Sequence, residues 1–458
     1  MGSTFTKLLV VETDGPALLA AAAAPTTIGT DVNEGFDAAL AKLGIPTDDY
    51  RETLVSSSAA GGLRIAAVGL VPELTLKAAS LAALGAGGTV VGAFSFTLTE
   101  DDRLRLEHLH PDLVLLAGGT DGGDTGHIAQ NAHRLAAWLP KTPVVVAGNR
   151  TAYDELKGVF TGREDVHFTD NVLPDLKRMD LDPARESIRA VFLERIVESK
   201  GLARLRSRAR VVMPTPEAVL LAVSLLAKGH DRAAGLGDLV TVDIGGATTD
   251  VYSCADGQPE REGVILRGVP EPFHKRTVEA DIGMRYTLPR LVETLDLDRL
   301  ARVYDLDAAA LRAWVEMVVA QPDRLPACAA EARMDTALAA AGCAIAVERH
   351  SGRLEEAFAP EGRIFVQEGK DLGRVKWIIG TGGPVAHSPD AAAILRACVR
   401  RPGSLSLGPV APELLVDKCY LLWAMGLIAG IEPEAALALM KEHLERSRID
   451  GGLVGSQE

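Results

Sequence analysis

Three short runs rich in Gly, Ser and Thr have the composition to grip an anion, and they are spread along the whole chain. The first is Gly2-Ser3-Thr4-Phe5-Thr6-Lys7. The second is Asp243-Ile244-Gly245-Gly246-Ala247-Thr248-Thr249-Asp250, and the third is Gly380-Thr381-Gly382-Gly383. Glycine admits positive φ, so successive backbone N–H groups can converge on one phosphate. Ser3, Thr4, Thr248 and Thr249 add hydroxyl donors, and Lys7 adds a point charge. Asp243, at the mouth of the second run, suits a hydrated Mg²⁺, an ion that keeps several waters and takes one or two protein carboxylates. It is the expected metal-positioning and catalytic group. Taken singly, each run is equally an ordinary turn. Asp243 can brace a hairpin, and one of Thr248 and Thr249 can pack as a strand residue.

Other signatures fail. There is no G-x-x-x-x-G-K-[ST] loop, and the third run puts Val385 where G-x-G-x-x-G needs its last glycine. His127 has no nucleophile beside it, so no Ser-His-Asp or Cys-His arrangement arises. The five cysteines form no C-x-x-C pair, which argues against a disulfide framework, structural zinc or an iron–sulfur cluster. A cobalamin-binding D-x-H-x-x-G is also missing from the sequence.

Strands must carry these turns. Residues 62–160 alternate strand and helix patterns: strands at 63–69, 89–96, 113–117 and 143–147, helices at 72–84, 100–109 and 128–139. That beat predicts βαβ units and a parallel sheet. The run Gly118-Gly119-Thr120-Asp121-Gly122-Gly123 then falls at a strand C-terminus, where such sheets place ligand loops. Residues 183–210 read as a charged helix and 216–228 as a second one. Strands 239–243 and 250–254 flank the second Gly run as a hairpin. An Ala-rich helical stretch follows over 296–344, then weak β at 363–367, a strand at 375–379 and a helical tail to about 448.

Composition narrows the partners. At ~150 residues per domain, 458 residues allow about three units. Lys plus Arg is 48 against 62 for Asp plus Glu, a net charge of −14 that repels phosphate backbones and disfavours nucleic acid. With 47% apolar and 24% charged residues the chain is globular. The apolar stretch 419–429 falls far short of the ~20 residues that span a bilayer. The alanine run 20–24 follows Glu12 and Asp14 rather than a basic segment, so it is not a secretory signal. A soluble, reduced, cytoplasmic protein is expected.

In this order the three runs resemble the two phosphate loops and the adenosine loop of the acetate kinase, sugar kinase, Hsp70 and actin superfamily. The resemblance implies an α/β fold of two ribonuclease-H-like halves that clamp ATP and Mg²⁺, with a parallel α/β subdomain inserted in the first half. The expected boundaries are 1–60 with 201–235 for the first half, 61–200 for the insertion and 236–458 for the second half. Gly2, Ser3, Thr4, Lys7, Gly245, Gly246, Thr248 and Thr249 would then face the phosphates. Gly380, Gly382 and Gly383 would surround the adenosine or its α-phosphate.

Further segments narrow the match. Thr26-Thr27 with Asp31-Val32, Gly118-Gly119-Thr120-Asp121-Gly122-Gly123, Met213-Pro214-Thr215-Pro216, Arg276-Thr277-Val278-Glu279, Asp281-Ile282-Gly283-Met284-Arg285 and Met425-Gly426-Leu427 look like the glutamate mutase accessory family of MutL or GlmL type. This resemblance implies an ATP-driven accessory or reactivating protein for an adenosylcobalamin-dependent mutase, whose subunits are the expected partners. A small-molecule kinase of the same superfamily and a nucleotide-free scaffold are the alternatives. The family's first strand, ending in Asp-Phe before the G-S-T run, has no counterpart before Met1. The expectation is a short start with that strand encoded upstream.

Overall fold

The computed structural model describes residues 5–27, 31–45, 50–58, 63–197, 210–259, 263–359 and 362–447. They divide into two units. Met1–Leu225, Leu266–Arg276 and Trp423–Leu439 make the first; Leu226–Ile265, Thr277–Leu422 and Met440–Glu458 make the second.

In the first unit, β1 (Phe5–Glu12) and β2 (Ala17–Pro25) form an antiparallel hairpin, from Phe5↔Pro25 to Glu12↔Ala17. The alanine run 20–24 lies in β2, where cross-strand pairing overrides alanine's helical preference. The helix Val32–Leu43 starts where the Asp31 carboxylate accepts from the Asn33 N–H at 2.9 Å. Thr27 ties hairpin to helix: its hydroxyl donates to the Asp31 carbonyl at 2.5 Å and accepts from the Gly35 N–H at 3.0 Å. Next, β3 (Leu54–Ser57) pairs in parallel with β9 (Val211–Pro214).

A second sheet of this unit is built from residues between those two strands. Its strands are β4 (Arg64–Gly69), β5 (Thr89–Ser95), β6 (Leu113–Leu116), β7 (Val144–Val146) and β8 (Val166–Phe168). They form a parallel sheet in the order β5-β4-β6-β7-β8. This is the doubly wound 2-1-3-4-5 order, and the expected βαβ beat is present strand for strand. The Gly-rich loop follows β6, with Gly119 at φ +71 and Gly122 at φ +78. Asn149 braces it, accepting from the Gly122 N–H and donating to the Gly123 and Asp124 carbonyls, each at 3.1 Å. His127 only pairs with Asp124 at the exposed rim.

A buried ion triad ties Leu266–Arg276 into this unit. Glu271 lies 2.7 Å from Lys77 and 2.8 Å from Lys275. Burial opposes its ionisation, but the Lys275 and Lys77 ammoniums outweigh that and hold its pKa at about 2, against an ordinary 4.5. A depressed carboxylate pKa stabilises the fold above pH ~4.5 and loses that effect as pH falls towards 2. Glu271→Gln is therefore expected to cost roughly 3 kcal/mol at pH 7. Urea midpoints should show the gap to the parent closing below pH ~4.

In the second unit, β10 (Gly229–His230) and β11 (Ala233–Ala234) make a small ladder. The main sheet contains β12 (Leu239–Ile244), β13 (Thr249–Cys254), β15 (His274–Glu279), β18 (Trp377–Thr381), β19 (Glu413–Asp417) and β20 (Leu444–Ser447). Between them in sequence, β14 (Val264–Arg267), β16 (Arg353–Ala359) and β17 (Gly362–Glu368) form a three-stranded sheet. The main order is β15-β13-β12-β18-β19-β20. β12 is antiparallel to β13 and parallel to β18, and β18 is parallel to β19. A meander followed by two parallel strands is the ribonuclease-H-like order expected for this half.

The Ala-rich helical stretch 296–344 is present as three helices, Leu297–Val303, Ala308–Ala320 and Ala329–His350. Asp296 and Asp307 open the first two, their carboxylates accepting from the Arg299 and Ala310 N–H groups. The expected helical tail is corrected: it contains two strands, β19 and β20. The third Gly run is followed by one helical turn, Gly383–Ala386, before Pro389 and the Asp390 cap start a new helix at Ala391.

Gly426 explains its own motif. It lies on the helix Leu422–Ala429, and a Cβ there would sit 1.7 Å from the Ala218 carbonyl oxygen of the helix Thr215–Lys228. Only glycine permits that backbone approach.

Candidate functional site: two glycine turns at one end of the second sheet

The parallel pairing of β12 and β18 sets Val242 opposite Gly380 and Asp243 opposite Thr381. Both strands therefore end together, and the second and third Gly runs emerge side by side. Carboxyl ends of parallel strands are where α/β sheets bind ligands.

The second run is a tight turn, closed by the Gly245 N–H donating to the Thr248 carbonyl at 2.9 Å. The segment after β15 holds it from outside. Met284 N–H donates to the Gly245 carbonyl at 3.0 Å, and the Arg285 and Tyr286 N–H groups donate to the Gly246 carbonyl at 2.8 Å. Gly283 must be glycine, since a Cβ would lie 2.6 Å from the Ala247 backbone. Arg285 is locked in turn by Asp335 at 2.7 Å, whose other oxygen accepts from the Trp314 indole at 2.8 Å. Asp281 and Glu279 both bind Arg349, at 2.9 and 2.7 Å. The Asp-Ile-Gly-Met-Arg segment thus braces the turn through its backbone, while its charged side chains make ion pairs.

The third run touches the second directly. Gly382 has φ +92, and a Cβ there would meet the Ile244 carbonyl oxygen at 2.2 Å and Asp243 Oδ1 at 2.7 Å. The half-buried Asp243 carboxylate consequently lies against the Gly382 backbone. Gly245, Gly246 and Gly383 are partly exposed, and a Cβ at Gly383 would meet nothing within 4 Å. Polar backbone thus lies next to a carboxylate, with open space beside Gly383.

Not every expected residue joins these two turns. Thr248 is partly exposed on the turn. Thr249 is fully buried, and its hydroxyl donates to the Ile282 carbonyl at 3.0 Å, so it packs as a strand residue. Gly380 is buried in β18, where a Cβ would strike Leu395 at 2.7 Å and Val385 at 2.8 Å; it is glycine for packing. Lys7 lies on β1 of the first unit, and Gly2, Ser3 and Thr4 fall outside the described residues. Glu217, also in the first unit, is buried and takes a 2.7 Å bond from Arg189 in the first turn of its helix.

Two groups were invisible to sequence reading. Asp417, at the end of β19, is fully buried and accepts from the Thr381 hydroxyl at 2.9 Å and from the Leu421 and Leu422 N–H groups. It pins the third run from below. Tyr420 has φ +51, a left-handed backbone unusual for an aromatic residue. The Asp243 carboxylate beside it, then burial, Asp417 and Asp250, push its phenol well above its usual pKa, so it keeps its proton. A local sign for Asp417 exists, an Asp ending an apolar strand, but the stretch reads as helix.

The residues present fit a Mg²⁺–phosphate group. Among the described residues no set of three or more His, Cys, Asp or Glu side chains makes a metal cage. Mg²⁺ does not need one, because it binds through one or two carboxylates plus substrate phosphates. Nor is any described helix long and apolar enough to cross a membrane.

Comparison with known proteins places the chain. A family described as MutL protein matches residues 1–444. Protein MutL of Clostridium tetanomorphum is 42% identical over 451 residues, covering 97% of this chain and 97% of that protein. Two solved structures match over nearly all their length at low scores. The activator of the 2-hydroxyisocaproyl-CoA dehydratase from Clostridium difficile with bound ADPNP has a TM-score of 0.31 and 12% identity, covering 98% of this chain and 97% of that one. The PilM-PilN type IV pilus biogenesis complex has a TM-score of 0.26 and 14% identity, with 97% of each chain covered.

Proposed function

The chain belongs to the MutL protein family, and from that premise we propose that it is an ATP-binding, ATP-hydrolysing accessory protein for an adenosylcobalamin-dependent carbon-skeleton mutase such as glutamate mutase. The observation that carries the nucleotide reading is the contact of Gly382 with Asp243 and Ile244, which joins two Gly turns around one carboxylate. In this reading Gly245, Gly246 and Thr248 hold the phosphates through backbone N–H groups and a hydroxyl. Gly382 and Gly383 border the adenosine side. Asp243 orients a hydrated Mg²⁺, which when bound supplies charge neutralisation on the phosphates. Asp417 and Tyr420 keep that carboxylate's surroundings fixed. Arg285 is committed to Asp335, so its part is to hold the turn rather than the ligand.

The partner reading rests on the family and on the chemistry the chain lacks. In this reading the protein acts on a mutase rather than carrying the cofactor, and its sequence has no cobalamin-binding D-x-H-x-x-G. The test is phosphate release from Mg-ATP, measured alone and with glutamate mutase holding inactivated cobalamin. Turnover stimulated by the inactivated mutase, with recovery of mutase activity, is the expected result. ATP turnover indifferent to the mutase would remove the partner, and no turnover in either case would remove hydrolysis.

A further inference from the structure

The register of the second sheet sets a row of polar side chains across the end where β12 and β18 stop. Asp250 of β13 lies directly opposite Asp243 of β12, and Asp243 lies opposite Thr381 of β18. Thr381 in turn donates to Asp417 of β19 at 2.9 Å. Residues directly opposite on neighbouring strands share a face, so Asp250, Asp243, Thr381 and Asp417 line one side of the sheet. The charge on Asp417 is met by the Thr381 hydroxyl and by the Leu421 and Leu422 N–H groups. Asp243 and Asp250 are like charges facing each other, which destabilises a sheet unless donors or cations offset it.

Tyr420 stands in the loop that follows β19. Its φ of +51 is one that an aromatic residue keeps only where its surroundings over-determine it. Here Asp417 does so. The Tyr420 N–H donates to the Asp417 carbonyl at 3.2 Å, and the next two N–H groups donate to the Asp417 carboxylate at 2.9 and 3.1 Å. Leu421 and Leu422 behind it are buried. Lys418 fastens the other end, donating to the Ala386 and Ser388 carbonyls at 3.2 and 3.3 Å. Held this way, the half-buried Tyr420 has its phenol in the field of the row, where Asp243 acts on it most strongly.

We propose that Tyr420 is a positioning residue for ATP hydrolysis: its phenol O–H donates to the Asp243 carboxylate and fixes the orientation in which that carboxylate meets a hydrated Mg²⁺. The role rests on the nucleotide reading of this site. A phenol suits it because it donates a hydrogen bond while carrying no charge. A lysine or arginine in its place would neutralise Asp243 and compete with the cation. The Tyr420 hydroxyl instead eases the repulsion between Asp243 and Asp250 and leaves the negative charge for the metal. Mg²⁺ demands near-ideal octahedral geometry, so a carboxylate free to turn serves it poorly. The left-handed backbone at Tyr420 is then strain kept for a purpose, with Asp417 holding it in place.

Tyr420→Phe removes the hydroxyl and keeps the ring. In phosphate-release assays with Mg-ATP its kcat is expected to fall about tenfold, and the Mg²⁺ needed for half-maximal turnover to rise several-fold, with the KM for ATP little changed. A role in packing alone would lower the melting temperature and leave the Mg²⁺ dependence unmoved. The second readout needs neither metal nor nucleotide. In a double-mutant cycle read by urea unfolding of the metal-free full chain, the effect of Tyr420→Phe on the folding constant should be about fivefold smaller in an Asp243→Ala background than in the parent. Equal effects in the two backgrounds overturn the hydrogen bond. Parent-like kcat and Mg²⁺ dependence in Tyr420→Phe overturn the positioning role while the nucleotide reading stands. A parent that turns over no ATP overturns that reading and the role with it.

Discussion

Asp243→Asn is expected to lower ATP turnover by about 10²–10³-fold while nucleotide affinity changes only a few-fold. Asparagine keeps the shape that fits against Gly382, so the two turns remain in place and only the charge is lost. A group that positions a metal acts chiefly as charge develops in the transition state, which is why turnover falls further than binding. Steady-state phosphate release and calorimetric titration with a non-hydrolysable analogue separate the two. Turnover equal to the parent's would take Asp243 out of the reaction. A matched loss of affinity would make it a ground-state ligand instead.

Gly382→Ala should be the most damaging single methyl group in the second unit. The new Cβ meets the Ile244 carbonyl oxygen at 2.2 Å and forces φ +92 on a residue that avoids it. Backbone strain and overpacking together cost about 3 kcal/mol. Relief requires β12 and the third Gly run to separate, so nucleotide binding should be lost with stability. Gly383→Ala is the control, because its Cβ enters open space at a φ that is not left-handed. Denaturant midpoints of the two variants should differ by most of that ~3 kcal/mol. Matching midpoints would mean that the two turns are not held in contact in solution.

Much of this fold is written locally. The five-stranded parallel sheet is legible because four of its strands, of Val, Leu, Ile and Ala, alternate with helices at an even beat, and the structure keeps those strands in place. The hairpin around Asp243 is legible from its double glycine between apolar runs. Other elements are not legible, for particular reasons. β19, Leu414 to Val416 in its middle, is an apolar run shorter than the helices around it, and its pairing with β18 and β20 makes it a strand. β2 is largely alanine, and its strand state depends on β1. Thr248 and Thr249 are indistinguishable in sequence. β13, buried at every position, begins at Thr249, while Thr248 stays on the turn. Gly380 and Gly382 look alike as well, yet one glycine serves a side-chain contact with Leu395 and the other a positive φ against Ile244. The ion pairs of Asp281 and Arg285 join residues far apart in sequence, so no local pattern announces them.

The return of residues Trp423–Leu439 to the first unit has a consequence for how the protein is made. The helix Thr215–Lys228 leaves the ribosome with its Ala218 face bare, because Gly426, the residue that lies against it, is still untranslated. At a synthesis rate of ~5–20 residues per second that interval lasts roughly 10–40 s. The first unit therefore cannot finish folding as it emerges, despite being almost wholly N-terminal. Nascent chains stalled before Trp423 should display an apolar surface, attract holding chaperones and be cut readily by proteases, and the fragment Met1–Leu225 expressed alone should share that fate.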